Sequence, residues 1–388
     1  MHKLKLLFLV GNYATGGKER QLTEIINHLP RERYEIHLFT KRINSYYFNI
    51  IKNNLSSYLS LDIENFSLFD IFKLNKYIDT IQPNVVFTLS KLLSHYALII
   101  NKIFSSDYRL INGSIRDASV NLGFHLSSYR QTIPLKCEKP IYNFYKEVVA
   151  NSKAGLDAYN QTGKKGRHVL YNGFDQGRIP KVSKDELRQQ LKIDQRFMIA
   201  MAASMGESKD QTTFIRAAHK ILLIDNSIQF FLIGNGPKKA QYEGLVESYG
   251  ITKSVIFTGE VNNVESYLSA ADLSVLMSSS WHGAGIPNSV MESMACGTPV
   301  IANNSGGTRE ILDDGVNGFL IKCGDYQSLA SKIILLIRDN DLRMKFSINS
   351  RNKIQGKFSI KRAIQKFDDI IRINDAGITN KKSGISYE

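Results

Sequence analysis

His282-Gly283-Ala284-Gly285-Ile286-Pro287-Asn288-Ser289-Val290-Met291-Glu292 runs through Ser293-Met294-Ala295-Cys296-Gly297-Thr298-Pro299-Val300-Ile301-Ala302 into Asn303-Asn304-Ser305-Gly306-Gly307-Thr308-Arg309-Glu310. Its spacing predicts loop, helix, strand and glycine turn in succession. A glycine-rich loop opens a helix that carries a carboxylate one turn in, and a buried-type strand delivers a second Gly-Gly turn to another helix. Each helix start leaves backbone N–H groups without intrahelical partners, which suits an anion. One carboxylate, Glu292, beside two anion sites fits a nucleoside diphosphate: both ribose hydroxyls can donate to it, each charge-assisted bond contributing about 1.5–3 kcal/mol.

Outward from this stretch, short apolar runs alternate with amphipathic ones. Leu4–Val10, Tyr34–Phe39, 84–88, Tyr108–Asn112 and Glu147–Ala150 are expected as strands, with helices such as Glu19–Leu29 and Lys91–Ile103 between them. A second series has strands at Phe197–Ala203, Ile228–Ile233, 254–258, Leu273–Met277 and Thr298–Ala302, separated by helices at Lys209–Ile224, Pro237–Tyr249, Val264–Ala270 and Asn288–Cys296. Such β/α alternation builds parallel sheets covered by helices. The turn-rich Asn172-Gly173-Phe174-Asp175-Gln176-Gly177 marks the boundary, near residues 172–180. The expected fold is α/β with two facing Rossmann-like halves and a cleft between them: residues 1–175, residues 176–355, a last amphipathic helix at 356–374 and a polar tail at 375–388.

A chain of 388 residues with 43% hydrophobic side chains buries a substantial core and divides comfortably into two domains. Cys137, Cys296 and Cys323 show neither disulfide nor zinc spacing, which points to a reducing, cytoplasmic setting. The apolar start Leu4–Val10 is short and ends in a glycine turn, so it reads as a buried strand rather than a signal peptide. No run approaches the roughly 20 apolar residues that span a bilayer. The formal charge of +14 favours an anionic partner or simply a lysine-rich solvated surface.

The first turn, Gly11-Asn12-Tyr13-Ala14-Thr15-Gly16-Gly17-Lys18-Glu19, is one residue too long for a P-loop, and Glu19 replaces the magnesium-binding hydroxyl. What remains is a Gly16-Gly17 turn that lets backbone approach a ligand at a helix start, or an ordinary βα turn. In the second half Ser204 to Lys209, Gly234 and Gly259-Glu260-Val261 all follow strands, the edge of an open α/β sheet where ligands bind. Lys209 reads either as a mobile charge for a phosphate or as a solvated first-turn residue.

The stretches GGKER, VVANS, YNGFD, SKDQTTFIRA, LIGNGP, FTGEV, AADLSVLMSS, GIPNSVMESMACGTPVIA and NNSGGTREIL together resemble the retaining, nucleotide-sugar-dependent glycosyltransferases of family 4, the group 1 type with the GT-B fold. The resemblance runs to about residue 373 and is strongest from Ala270 to Leu320. It implies a donor nucleotide sugar on the second domain, a UDP-sugar rather than a GDP-sugar. It further implies a glycan or lipid-diphosphate acceptor on the first domain, catalysis with no metal or other cofactor, and a last helix that crosses back. It implies that Glu292 binds donor ribose, that Gly285, Ile286, Asn288 and Ser289 surround diphosphate and sugar, and that Lys209 touches phosphate. Gly234, Glu260 and Val261 fall on the donor side, and Gly16 and Gly17 close over the donor.

This sequence departs from the family pattern in three places. Ala284 stands where the first signature glutamate is expected, Ser204 where an arginine commonly partners the lysine, and no histidine occupies Gly113-Ser114-Ile115-Arg116-Asp117. His282 and Arg116 are the candidates for catalytic roles in their stead, with Asp117 and His125 nearby. Arg116, Arg130, Lys136, Lys139 and Lys146 among Tyr129, Tyr142, Phe144 and Tyr145 suggest contact with an anionic membrane surface from the cytoplasmic side during polysaccharide or lipopolysaccharide assembly. A nucleotide-sugar epimerase and a degenerate, non-catalytic donor binder are the rival readings; no nucleic-acid-binding module is recognisable.

Overall fold

The computed structural model describes residues 3–14, 16–43, 46–64, 66–67, 69–104, 107–117, 141–193 and 197–372. The first sheet holds β1 (Leu4–Tyr13), β2 (Tyr34–Ile43), β3 (Ser57–Ser60), β4 (Val85–Thr88), β5 (Arg109–Ile115), β6 (Glu147–Ala150) and β7 (Arg167–Val169) in the order β3-β2-β1-β4-β5-β6-β7. The second holds β8 (Phe197–Ala202), β9 (Ile228–Ile233), β10 (Val255–Gly259), β11 (Leu273–Leu276), β12 (Val300–Asn303) and β13 (Gly318–Ile321) in the order β10-β9-β8-β11-β12-β13. Every ladder is parallel. This is the α/β architecture of two Rossmann-like sheets expected from the alternation of patterns.

The central strands are buried on both faces, which is why they read as unbroken apolar runs. Leu6, Leu7, Phe8, Leu9 and Val10 are fully buried, and so are Met198, Ile199 and Ala200. Strands β3 and β7 lie at the edges of the first sheet and β13 at an edge of the second, and none of the three was expected from the sequence. Ser57-Tyr58-Leu59-Ser60 and Arg167-His168-Val169 are short and half polar, as edge strands tend to be, so they carry little periodic signal.

In each sheet the strand order reverses beside the first strand of the series, between β1 and β4 and again between β8 and β11. A doubly wound sheet opens a crevice outside the carboxyl ends of the strands at that point. The turn after β1, the Ala203–Lys209 segment after β8 and the 277–287 loop after β11 all leave from these ends.

The last two helices tie the halves together. Helix Asn340–Lys357 buries Ile354 against Met291, Met294 and Ala295 of the second half. At the following junction the Phe174 N–H donates to Phe358 O (2.8 Å) and the Ile360 N–H to Phe174 O (2.9 Å). Helix Ile360–Arg372 then lies on the first sheet, where Phe367, Ile370 and Ile371 join Leu6, Phe8 and Phe87 in one core. Phe367 stacks on Phe8 (centroids 6.0 Å apart) and tilts against Phe87 (5.4 Å). Arg109 secures the end of this helix by donating to Ile370 O at 2.7 Å while pairing with Glu147.

Phe367→Ala removes a fully buried ring from this dock and is expected to cost about 3–5 kcal/mol in urea unfolding of the full chain. A loss below about 1 kcal/mol would mean that the helix contributes little to the first half.

Candidate functional site

Helix Gly17–His28 presents two faces. Leu22, Ile25 and Ile26 point into the first core, while Gly17, Arg20, Gln21 and Glu24 follow the i, i+3, i+4, i+7 spacing of one opposite stripe. All four polar-stripe positions meet residues beyond 170. The Asn288 amide donates to Gly17 O (2.9 Å), Arg20 pairs with Glu292, the Gln21 amide donates to Asn288 Oδ1 (3.2 Å), and Glu24 pairs with Arg178 (3.1 Å). On the facing helix, Asn288–Cys296, residues Asn288 and Glu292 share a face by i, i+4 spacing, and Met291 and Met294 fill the core behind.

Glu292 is buried and held by two cations. Arg20 pairs with it closely, and Arg178 Nη2 lies 3.5 Å from the same oxygen while also pairing with Glu265. Burial alone would raise the Glu292 carboxyl, but Arg20 and Arg178 hold it below its ordinary value, so it is ionised at neutral pH. Burial likewise opposes the charge on Arg20, and Glu292 together with Tyr47 overcomes it. Arg20 Nε also donates to Tyr47 OH at 2.7 Å. The carboxylate is thus oriented by Arg20 of the first half and by Arg178.

Between the halves lies a pocket of about 360 Å³. Its walls carry Gly16, Gly17, Ser204, Lys209, Gly234, Glu260, Val261, Asn288, Ser289 and Glu292, the expected donor-side residues. Arg20, Tyr46, Tyr47 and Asn262 also line it and were not singled out from the sequence. Gly234 has φ +131°, and a Cβ there would stand 2.3 Å from Ala203 O, so only glycine lets the turn after β9 lie against the turn after β8. Lys209 is half-buried beside Ser278, its Nζ 3.3 Å from Ser278 Oγ. Burial pushes its ammonium down to about 8. It is therefore not the solvated first-turn lysine that was the alternative, but a cation on the pocket wall whose charge is poised near neutral pH.

A smaller chamber of about 160 Å³ shares Gly17, Ala284 and Asn288 with this pocket and adds Arg116, His282, Gly285 and Ile286. The expected residues that do not face the larger pocket are gathered here. Burial lowers the His282 imidazole, aided by Lys209 and opposed by Asp117, so the ring is neutral at neutral pH. Burial holds the Arg116 guanidinium down to about 10, which still leaves it charged.

Two expectations are corrected. The second glycine turn is no anion site: the Gly307 N–H donates to Ala284 O (2.8 Å), and Gly306 packs so tightly on Gly283-Ala284 that a Cβ would fall 2.2 Å from Ala284 O. The turn instead braces the 283–285 loop. Of the described members of the basic and aromatic cluster, Tyr142 and Tyr145 are core residues and Arg116 is turned inward, not surface residues as expected, whereas Phe144 and Lys146 are exposed. Its other members, Tyr129, Arg130, Lys136 and Lys139, lie outside the described residues, as do His125, Cys137 and the 375–388 tail. Finally, Asp117 forms an antiparallel bridge with Ala284 and so stitches the halves together at the chamber.

Among the described residues, Glu24, His28 and Asp175 bring ligand-type atoms within 4.8 Å of one another. None of the three lines either cavity, and Glu24 already pairs with Arg178. No helix among the described residues is long and apolar enough to cross a membrane.

Residues 183–353 match the protein family described as Glycosyl transferases group 1. Over 95% of its length the chain is 26% identical to an uncharacterized glycosyltransferase of Methanocaldococcus jannaschii, covering 98% of that protein. It is 33% identical over 174 residues, 45% of each chain, to the putative glycosyltransferase EpsD of Bacillus subtilis. Its fold superposes on that of Anabaena HepE, solved in complex with UDP-glucose, with a TM-score of 0.81 at 20% identity, covering 95% of this chain and all of that one. The family match over the second half, these relatives and the shared fold together support a glycosyltransferase of GT-B architecture.

Proposed function

We propose that the chain transfers a sugar from a nucleoside diphosphate to an acceptor hydroxyl with retention of configuration, using the larger pocket for the nucleotide and the smaller chamber for the sugar. The single observation that carries this reading is Glu292, an ionised carboxylate on the wall of a cleft pocket that also holds Lys209 and the uncapped start of helix Asn288–Cys296. A carboxylate for ribose and a cation with free amides for diphosphate are the complementary parts of one ligand. The HepE complex with UDP-glucose favours uridine as the base.

Charge develops on the departing diphosphate as its bond to the anomeric carbon breaks, and preorganised positive potential there lowers the barrier most. Lys209 and the amides of Asn288 and Ser289 supply it without a metal. No carboxylate lines the smaller chamber among the described residues, so no side chain there is placed to form a covalent sugar adduct. The acceptor oxygen bonds to the anomeric carbon on the face the diphosphate leaves, and its proton passes to the diphosphate oxygen. Tyr142 and Tyr145 being buried, the described residues lend no support to membrane attachment, and the acceptor is proposed only as a hydroxyl-bearing glycan or lipid-linked glycan.

Two outcomes are expected. Calorimetry should show UDP binding roughly tenfold or more tightly than 2′-deoxy-UDP, with the difference erased in Glu292→Gln, because one charge-assisted bond contributes about 1.5–3 kcal/mol. Equal affinity of the two nucleotides for the unmodified protein would remove ribose recognition by Glu292. The affinity for UDP should also fall as pH rises through about 8. Lys209 loses its charge there in the free protein, and the complex needs that proton, so binding weakens by up to about tenfold per unit. Lys209→Met should bind weakly with a flat profile between pH 7 and 9; a sloped profile in that variant would assign the titration to another group.

A further inference from the structure

Three residues that line the smaller chamber carry a buried polar atom with no hydrogen-bond partner among the described residues: Arg116 Nη2, Asn151 Oδ1 and Asn172 Oδ1. Each is held in place by other contacts. Arg116 Nε donates to Gly113 O (3.0 Å), which fixes the plane of the guanidinium fork. The Asn172 amide nitrogen donates to Ile286 O (3.0 Å) and to Asn288 Oδ1 (2.7 Å), which leaves its oxygen to accept. Asn151 approaches Gly285 so closely that a Cβ there would stand 2.0 Å from its Oδ1, so the loop is built to let this amide in. A buried group left unpaired costs about 1–3 kcal/mol, and a charged one more. Three in one small chamber amount to a site preorganised for a ligand that supplies one acceptor and two donors.

The charge of that ligand follows from the walls. Arg116 and Lys18 line the chamber, His282 is neutral, and Ala284 offers only a methyl group; no carboxylate lines it among the described residues. Lys18 is offset by Glu19 at 3.2 Å; Arg116 feels the same carboxylate only at longer range and forms no ion pair among the described residues. A neutral hexose would satisfy the two asparagine oxygens and leave the guanidinium without a direct anionic contact.

We propose that the chamber binds an oxyanion carried by one of the substrates, held by Arg116, while hydroxyls of the same ligand donate to Asn151 and Asn172. The anion is either the carboxylate of a hexuronic acid on the donor or a phosphate of the acceptor, and the proposal rests on the larger pocket being the nucleotide site. Arg116 is then a specificity-determining residue, because a planar fork recognises a carboxylate or phosphate better than a hydroxyl.

The test compares UDP-glucuronate with UDP-glucose by calorimetry on the full chain and on Arg116→Gln, with UDP alone as the control for a folded nucleotide site. If the donor carries the anion, UDP-glucuronate binds roughly tenfold or more tightly than UDP-glucose, and the variant loses that margin while still binding UDP. If the acceptor carries it, the two donors bind alike, and inorganic phosphate added at constant ionic strength to UDP-saturated protein raises the Tm of the unmodified chain but not of Arg116→Gln. Binding of UDP with neither effect overturns the proposal and leaves the nucleotide site standing. Failure to bind UDP at all sinks the nucleotide reading, and this one with it.

Discussion

A carboxylate shut between two arginines from different parts of the chain sets the geometry of the cleft. Glu292 lies on the second half, Arg20 on the first helix of the first, and Arg178 in the connection between the sheets. None of these charges can be left alone in a low-dielectric seam, since removing one partner of a buried pair typically costs about 3–5 kcal/mol. The cluster extends through Arg178 to Glu24 and Glu265, so four elements converge on it. The same carboxylate lines the pocket, which makes the seam that joins the halves also a wall of the site.

Neutral contacts give the seam its register. Asn288 receives from Gln21 and Asn172 and donates to Gly17, while Gln21 Oε1 accepts from the Gly173 N–H at 2.9 Å. On the far side of the chamber Glu310 accepts from the backbone N–H groups of Lys153 (3.0 Å) and Ala154 (2.9 Å), at the start of helix Lys153–Ala158, and from Tyr171 OH (2.9 Å). A helix start of the first half is therefore satisfied by a side chain of the second. Together with the Asp117–Ala284 bridge and the docked last helix, these contacts hold the halves against one another across the cleft. Lys209 and Arg116 are desolvated by their burial there, and their lowered proton affinities follow from it.

Much of the site was legible because its parts follow strands. Lys209, Gly234, Glu260 and Val261 sit past the ends of β8, β9 and β10, where any doubly wound sheet presents ligands, and the glycine spacing marked the turns. Arg20 was harder to see. Read locally it is one charge in a charged helix turn, and only the polar stripe Gly17, Arg20, Gln21 and Glu24, opposite an apolar face, hinted at a second buried surface. The Tyr142 and Tyr145 segment misled for the opposite reason. Aromatic residues among cations look the same whether they face a membrane or a core, and only packing against Tyr159 and Ile115 decides.

What the amino-acid order determined by itself was the succession of elements: apolar runs too uniform for a one-sided sheet, glycine turns at their ends, and hence two parallel sheets with loops for ligands at one edge. Periodicity is a local property and survives reading one residue at a time. The partners of Glu292, the burial that tunes Lys209, the loss of the Gly307 amide to the 283–285 loop and the turning of Arg116 into the smaller chamber were decided only by tertiary structure. Most depend on groups far apart in the chain, 69 positions for Lys209 and Ser278 and 272 for Arg20 and Glu292, meeting in a water-poor seam, and charge and hydrogen-bond energies there are set by the neighbours the fold brings in rather than by the residue itself.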